Sequence, residues 1–198
     1  MNRGIGWVMA VVAVLVGTAA AQQTGTFTDS RDGQKYKTVK IGNQTWMAEN
    51  LRFKIGDSWC YENSADSCAK YGRLYDWHMT KFACPKGWHL PSKGEWTELV
   101  TVVGSSTAGK KLRSKSGWNN MKDGSSGNGT DDYGFSALPG GGRDSGGDFY
   151  YVGTFGSWWT ATEGKSGYAY SRSMYYYDDY VNEGDDGKDY GFSVRCVQ

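Results

Sequence analysis

The four cysteines are the residues whose type and number say most about chemistry. An even number of cysteines in an exported chain is typical of disulfides. Cys60 and Cys68 are separated by the polar run YENSADS, which can turn back on itself. That spacing favours a short Cys60–Cys68 pair, and Cys84 would then pair with Cys196 and tie the middle of the chain to its end. Four cysteines allow three pairings in all.

The two histidines, His78 and His89, are the other candidates for reactive chemistry. Zinc is the alternative to disulfides, but a zinc site needs CxxC-type spacing or nearby histidine ligands. His78 follows Trp77 in an aromatic segment, and His89 stands in GWHLP directly before a helix, so we expect packed or capping side chains. The chain has no GxSxG, HExxH or phosphate-loop motif. We therefore predict that the protein is not an enzyme.

Acidic side chains gather in two places, and oxygen-rich loops are what Ca²⁺ prefers. The first is Asp131-Asp132. The second is a run near the C-terminus: Asp178, Asp179, Glu183, Asp185, Asp186 and Asp189. We interpret the stretch NEGDDGKD as a solvated hairpin loop, with a Ca²⁺ site as the less favoured alternative, and we predict no other cofactor.

Tyrosines crowd the same region and form the candidate ligand-binding set. They are Tyr168, Tyr170, Tyr175, Tyr176, Tyr177 and Tyr180. Tyrosine joins an apolar face to a polar hydroxyl, which suits sugars and also protein partners. Packing into the core is the alternative, but Tyr175, Tyr176 and Tyr177 cannot all face inward, because successive side chains of a strand point to opposite sides. We assign the tryptophans mainly to the core: Trp46, Trp88, Trp96, Trp158 and Trp159.

One helix is clearly marked among the elements that position these residues. Ser92 and Glu95 form a capping box, in which each side chain satisfies a free backbone N–H of the first turn. Trp96, Leu99, Val100 and Val103 then recur at helical spacing. A short second helix is predicted over 107–114.

The remaining regular structure reads as strands separated by turns and loops. Asp32-Gly33 and Gly42-Asn43 are turn signals, while 59–82 and the glycine-rich 124–147 read as loops. The predicted strands are 27–29, 36–41, 44–47, 149–152, 157–161, 168–177 and 190–197. Strands, then helix, then strands indicate one α+β domain over 22–198.

The N-terminus predicts export. Arg3 precedes an uncharged apolar stretch of about 14 residues, shorter than the roughly 20 that a membrane anchor needs, and Ala19-x-Ala21 fits a cleavage site before Gln22. Residues 1–21 are thus predicted to be a signal peptide, with a membrane anchor as the alternative. Without Arg3 the chain has 21 basic and 21 acidic residues. That balance argues against a nucleic-acid partner, and we expect no membrane span after processing.

Several motifs together resemble the Fibrobacter succinogenes major paralogous domain family. They are DGQKYKTVKIGNQTWMAENLRF, YGRLYDW, ACPKGWHLPSKGEWTELV, GSWWTATE and YGFSVRCVQ. More distantly the chain resembles C-type-lectin-like folds, in which a cysteine before the main helix pairs with one in the last strand; this resemblance implies Cys84–Cys196. It does not extend to the lectin calcium motifs, because EPN and QPD are absent and WWTAT stands where WND is expected.

Three functions follow as hypotheses. The first is an exported binding module, periplasmic, surface-held or secreted, that contacts carbohydrate or a cell-surface protein through Tyr- and Gly-rich loops. The second is a structural or assembly component of the cell envelope. The third is an enzyme similar to formylglycine-generating enzymes, because HLPSKGEW in this chain resembles the LPTEAEW stretch of that family. Disulfides would, however, remove the thiols that such an enzyme uses to hold copper.

Overall fold

A computed structural model describes residues 23–198 of the protein. The predicted signal peptide, residues 1–21, lies outside the described residues. Within 23–198 the protein is an α+β domain with most of its regular structure in sheets. No helix of this part of the chain has the length and apolar character needed to cross a membrane.

Strands outnumber helices along residues 23–198, and a 3₁₀ turn lies at Tyr61–Asn63. The strands are β1 (Thr24–Thr28), β2 (Lys35–Ile41), β3 (Gln44–Met47), β4 (Ser58–Trp59), β5 (Leu74–Tyr75), β6 (Gly142–Arg143), β7 (Phe149–Tyr150), β8 (Phe155–Glu163), β9 (Tyr168–Tyr175), β10 (Asn182–Gly187) and β11 (Phe192–Ser193). The helices are α1 (Ala65–Tyr71), α2 (Trp77–Ala83), α3 (Lys93–Val103) and α4 (Ala108–Leu112).

The N-terminal strands form a three-stranded antiparallel sheet in the order β1-β2-β3. The two predicted turns connect them. Gly33 and Gly42 have φ angles of 74° and 59°, which glycine adopts without steric strain. The hairpin predictions for this segment are therefore confirmed.

A six-stranded sheet in the order β10-β9-β8-β11-β5-β4 organises the rest. β8 and β11 run parallel, and the other neighbours are antiparallel. Because side chains alternate along a strand, this sheet has two faces. We call them the helix face, which includes Trp158 and Met174 and packs with Trp96 and Leu99 of α3, and the groove face, which includes Phe155.

The predicted capping box starts α3. Ser92 Oγ accepts a hydrogen bond from the Glu95 N–H at 3.2 Å, and Glu95 Oε2 accepts one from the Ser92 N–H at 2.7 Å. Trp96, Leu99 and Val103 are buried, as the helical spacing predicts.

Both predicted disulfides are present. Cys60 bonds to Cys68 and Cys84 bonds to Cys196, with Cα–Cα distances of 4.8 and 5.8 Å. The described residues contain no free cysteine, so the zinc alternative is wrong.

Several sequence predictions need correction. Residues 59–82 are not mainly loop, because α1, β5 and α2 lie there; the helices are too short to show a helical period. The acidic stretch is not a hairpin loop but strand β10, whose backbone pairs with β9. The predicted strand 190–197 pairs as a strand only at Phe192–Ser193, and the β9 prediction extends two residues too far.

Candidate functional site

The two histidines do not form a catalytic arrangement. His89 is exposed, and its Nε2 lies 2.6 Å from Glu95 Oε1, so the side chain extends the cap of α3 as predicted. His78 is exposed on α2 with its ring edge against Trp77, so the expectation that it is packed is wrong. Glu95 is a carboxylate partner for His89, but among the described residues no hydrogen bond joins either imidazole to a serine, threonine or cysteine side chain that could act as a nucleophile.

The six acidic residues of the C-terminal run are dispersed rather than gathered around one point. Glu183 pairs with Lys93 at 2.6 Å and Arg172 at 2.8 Å. Asp179 lies 3.5 Å from Arg113. In the part of the chain that the structure describes, no three acidic, histidine or cysteine side chains are arranged to hold a metal ion.

The earlier acidic pair likewise serves the local backbone. Asp131 accepts hydrogen bonds from the Ser136 N–H at 2.7 Å and the Ser136 hydroxyl at 2.6 Å. These bonds fix the loop that contains the buried Phe135, and Asp132 is exposed beside it. Over residues 23–198, the Ca²⁺ alternative has no assembled ligand set at either place.

The six tyrosines divide between the two sides of the sheet. Tyr168 and Tyr170 lie on the helix face of β9, where Tyr170 contacts Lys93 Nζ at 4.0 Å. Tyr175 lies on the groove face, opposite Phe155 of β8. Tyr176, Tyr177 and Tyr180 follow the end of β9, and Tyr177 and Tyr180 are 59% and 55% exposed. The prediction that Tyr175, Tyr176 and Tyr177 cannot all be buried is confirmed.

The groove face carries the candidate site, a cavity of about 230 Å³ that we call the aromatic groove. It is lined by Tyr150, Tyr151, Phe155, Ser173, Tyr175, Asn182, Glu183, Gly184, Asp186 and Phe192. Rings form one side of the groove, and strand β10 forms the other.

The rings of the groove form an ordered row. Phe155 stacks against Tyr150 at 5.7 Å and against Tyr175 at 5.6 Å, with interplanar angles of 11° and 21°. Tyr177 continues the row 5.4 Å from Tyr175. Tyr151 stands edge-on to Tyr150 and is 67% exposed. The tyrosines of this row are partly or mostly exposed around the buried Phe155 and offer apolar surface to a ligand.

The polar side of the groove is built on β9 and β10. Asp186 accepts a hydrogen bond from the Ser171 hydroxyl at 2.5 Å. Ser173 Oγ lies 2.9 Å from Ser157 Oγ at the base. Strand alternation directs the Glu183 carboxylate to its partners on the helix face, so Asp186 supplies the carboxylate of the groove.

Burial perturbs the ionisable groups of the groove. It raises the pKa of Asp186, and the neighbouring Asp185 raises it further, while the Ser171 hydrogen bond lowers it. Burial also raises the pKa values of Tyr150 and Tyr175, and the negative charge of Asp186 adds to both shifts. The negative charge of Asp186 therefore acts electrostatically on Tyr150 and Tyr175, on the opposite side of the groove.

Two features of the backbone place the rings. Tyr151 has a φ angle of 62°, a left-handed conformation that is uncommon for a bulky residue and is typical of functional loops. Its carbonyl accepts hydrogen bonds from the Thr154 and Phe155 N–H groups at 3.0 and 3.2 Å. This turn brings the hairpin of β6 and β7 over the start of β8.

The segment after β9 is anchored from the other side of the sheet. The buried Arg113 donates hydrogen bonds to the carbonyls of Tyr175 and Asp178. The Gly109 N–H at the start of α4 donates to the Asp179 carbonyl at 2.7 Å. A Cβ at Gly109 would lie 2.2 Å from the Tyr180 carbonyl oxygen, so only glycine permits this approach.

A comparison with protein families matches residues 39–198 to the model described as the Fibrobacter succinogenes major domain. The chain belongs to this family. No curated protein and no solved structure matches the chain.

The aromatic groove lies entirely within the part of the chain that matches the Fibrobacter succinogenes major domain. Sequence reasoning found Tyr175, Glu183 and Asp186 but missed Tyr150, Tyr151, Phe155 and Phe192. The run Phe149-Tyr150-Tyr151 carried the same signal as Tyr175-Tyr176-Tyr177, because three successive aromatic residues cannot all be buried in one strand.

Proposed function

We propose that this member of the Fibrobacter succinogenes major domain family is an exported, non-catalytic module that binds carbohydrate in the aromatic groove. The observation that supports this proposal is the stacked row of rings, which faces the Asp186 carboxylate and the Ser173 hydroxyl across an open cavity of about 230 Å³. Rings cover the CH faces of a sugar, and carboxylate and hydroxyl oxygens accept or donate hydrogen bonds to its hydroxyl groups.

Two further observations support export and a lectin-like domain. The structure contains two disulfides, which persist in oxidising compartments. Cys84 lies before α3 and bonds to Cys196 near the end of the chain, the pairing that the resemblance to C-type-lectin-like folds implies. We therefore include that fold and a periplasmic, surface-held or secreted location in the proposal.

The disulfides also bear on the enzyme hypothesis. A copper site of the formylglycine-generating type needs thiols, and the described residues have all their cysteines in disulfides. This supports a binding function over that reaction.

The test is a panel of plant polysaccharides and soluble glycans, probed with purified protein by affinity electrophoresis and calorimetry. We expect at least one polysaccharide to bind, and Tyr175→Ala to weaken it about ten-fold or more, since one aromatic contact contributes on the order of 1–3 kcal/mol.

Tyr168→Ala is the matched control, because Tyr168 lies on the same strand but on the helix face and is 39% exposed. It should bind as the wild type does. Absence of binding to every member of the panel, or equal weakening by both variants, would refute the carbohydrate function.

A protein partner in the cell envelope is the second candidate. Tyr177 and Tyr180 expose more than half of their surface outside strand β9, and tyrosines of this kind dominate protein interfaces. Crosslinking in intact cells followed by mass spectrometry tests this function. Loss of a specific crosslinked partner in a Tyr177→Ala/Tyr180→Ala variant would support it, and a strictly monomeric protein with no partner would contradict it.

A further inference from the structure

The charges around the aromatic groove are unbalanced. Asp186 contributes a carboxylate, and none of the described lining residues is a lysine or arginine. Within residues 23–198 the only hydrogen-bond donor to this carboxylate is the Ser171 hydroxyl, which is neutral. A partly desolvated carboxylate without a cation is unfavourable, so the groove is electrostatically suited to a ligand that brings a positive charge.

The rings add to the same preference. The face of an aromatic ring carries negative electrostatic potential, and ring faces attract ammonium groups within about 6 Å of their centres. Tyr150 and Tyr175 are partly exposed on either side of the buried Phe155, and Tyr151 adds an exposed ring at an angle of 86° to Tyr150. Rings at different angles can surround one cation, as in the aromatic cages that recognise quaternary ammonium groups.

We propose that the aromatic groove selects a polysaccharide of amino sugars, whose free ammonium group pairs with Asp186 while the sugar ring covers the aromatic row. This inference rests on the proposed carbohydrate function and names the class of sugar. The uncompensated carboxylate distinguishes this class from neutral sugars. It also excludes uronic acids and sulfated sugars, because a second negative charge beside Asp186 would be repelled.

The raised pKa of Asp186 agrees with this arrangement. Burial and Asp185 disfavour the ionised form in the free protein. An ammonium group at hydrogen-bonding distance favours the carboxylate form. Ligand binding should therefore be accompanied by release of a proton where Asp186 is partly protonated beforehand, and calorimetry in buffers of different ionisation enthalpy measures that release.

Three β-1,4-linked oligosaccharides of equal length form the test, because they share a backbone and differ only at carbon 2. Glucosamine oligomers carry an ammonium group there, N-acetylglucosamine oligomers carry an amide, and cello-oligosaccharides carry a hydroxyl. Calorimetry at pH 6 should show the glucosamine oligomer binding about ten-fold or more tightly than the other two, as a charge-assisted hydrogen bond provides.

Two variants of equal charge distinguish pairing with Asp186 in the groove from general electrostatic attraction between the protein and a cationic ligand. Asp186→Asn should abolish the preference for glucosamine oligomers. Asp185→Asn removes the same charge from the same strand on the helix face and should retain the preference. Equal loss in both variants, or no preference in the wild type, overturns the inference.

The outcomes also distinguish this inference from the function on which it rests. Binding of neutral oligomers that Tyr175→Ala weakens, with no gain for glucosamine, would leave the carbohydrate function in place and refute the ammonium pairing. Binding of no oligomer or polysaccharide at all would refute both.

Discussion

The two sides of strand β9 show how one strand serves two purposes. On the helix face, the buried Arg172 is paired with Glu183, which also binds Lys93. On the groove face, Asp186 of the neighbouring strand has a neutral hydroxyl as its donor. Charges are matched where the sheet is covered by α3 and unmatched where it is open, as expected if the open side is reserved for a ligand.

The apolar residues differ in the same way. Trp158 and Met174 are fully buried on the helix face. On the groove face Tyr175 is half-buried, and the neighbouring Tyr151 and Tyr177 are mostly exposed. Changes at buried positions of either face should therefore alter stability, whereas changes at the exposed rings of the groove should mainly alter binding.

The largest effect should come from removing the long-range disulfide. Cys196 is buried in the apolar cluster that includes Phe155 and Phe192 of the groove, and its disulfide to Cys84 closes a loop with a sequence separation of 112. The Cys84→Ala/Cys196→Ala variant should lose about 4.8 kcal/mol of unfolding free energy by the chain-entropy model. Denaturant titration without reductant measures this loss.

The peripheral disulfide is the control for this experiment. Cys60 and Cys68 have a sequence separation of 8, so the Cys60→Ala/Cys68→Ala variant should lose only about 2.5 kcal/mol. Equal losses in the two variants would show that the long loop is already constrained in the unfolded chain.

The next largest effect concerns the helix face. Met174→Ala should lower the unfolding free energy by about 2–5 kcal/mol because it leaves a cavity beside Trp96 and Leu99. Ser173→Ala, one residue away on the groove face, should lose about 1 kcal/mol with its hydrogen bond to Ser157. A larger loss for Ser173→Ala would contradict the division between the faces.

Tyr151→Gly should separate binding from stability on the groove face. Glycine relieves the strain of a φ angle of 62°, which offsets the loss of ring contacts and the greater freedom of the unfolded chain. The unfolding free energy should therefore change by less than about 1 kcal/mol, while polysaccharide binding weakens. Tyr151→Ala is the control, since it removes the same ring but keeps the strain and should be less stable than Tyr151→Gly.

Local signals in the sequence predicted much of the fold. The capping box of Ser92 and Glu95 located the start of α3, and the turns at Gly33 and Gly42 located the N-terminal hairpins. These features depend on residues near each other in the chain. The short spacing of Cys60 and Cys68 left Cys84 to pair with Cys196 across the domain, and the resemblance to C-type-lectin-like folds implies the same pair.

Long-range contacts explain what the sequence did not reveal. Arg195 is fully buried and donates to Asn50 Oδ1 at 2.8 Å and to the Phe135 carbonyl, and no local pattern indicates an internal arginine. The aromatic groove was predicted only in part, because it too depends on contacts between residues far apart in the chain. Tyr175 and Asp186 were singled out as members of separate clusters, and only the β9–β10 register and the hairpin turn at Tyr151 bring them to one cavity.

The smallest effect is the pH dependence that Asp186 confers. Its pKa is raised above the ordinary value of 3.8 by burial and by Asp185, with Tyr150, Tyr175 and Ser171 facing it from the neighbouring elements. As pH rises from the pKa of the unfolded chain to the higher pKa of the folded protein, the unfolded chain loses the Asp186 proton while the folded protein keeps it. The stability of the folded protein therefore falls over that pH window. Asp186→Asn should therefore be more stable than the wild type at pH 7, by less than about 1 kcal/mol because water in the open groove screens the charge.

Two comparisons make this pH dependence specific to the groove carboxylate. The wild type and Asp186→Asn should be equally stable near pH 3, where the aspartate is mostly protonated in both the folded and the unfolded state. Ser171→Ala should act in the opposite direction at pH 7, since it removes the hydrogen bond that favours the carboxylate. Thermal unfolding of the three proteins from pH 3 to pH 7 measures these differences. A wild type whose stability relative to Asp186→Asn does not change with pH would show that the groove carboxylate is already fully compensated.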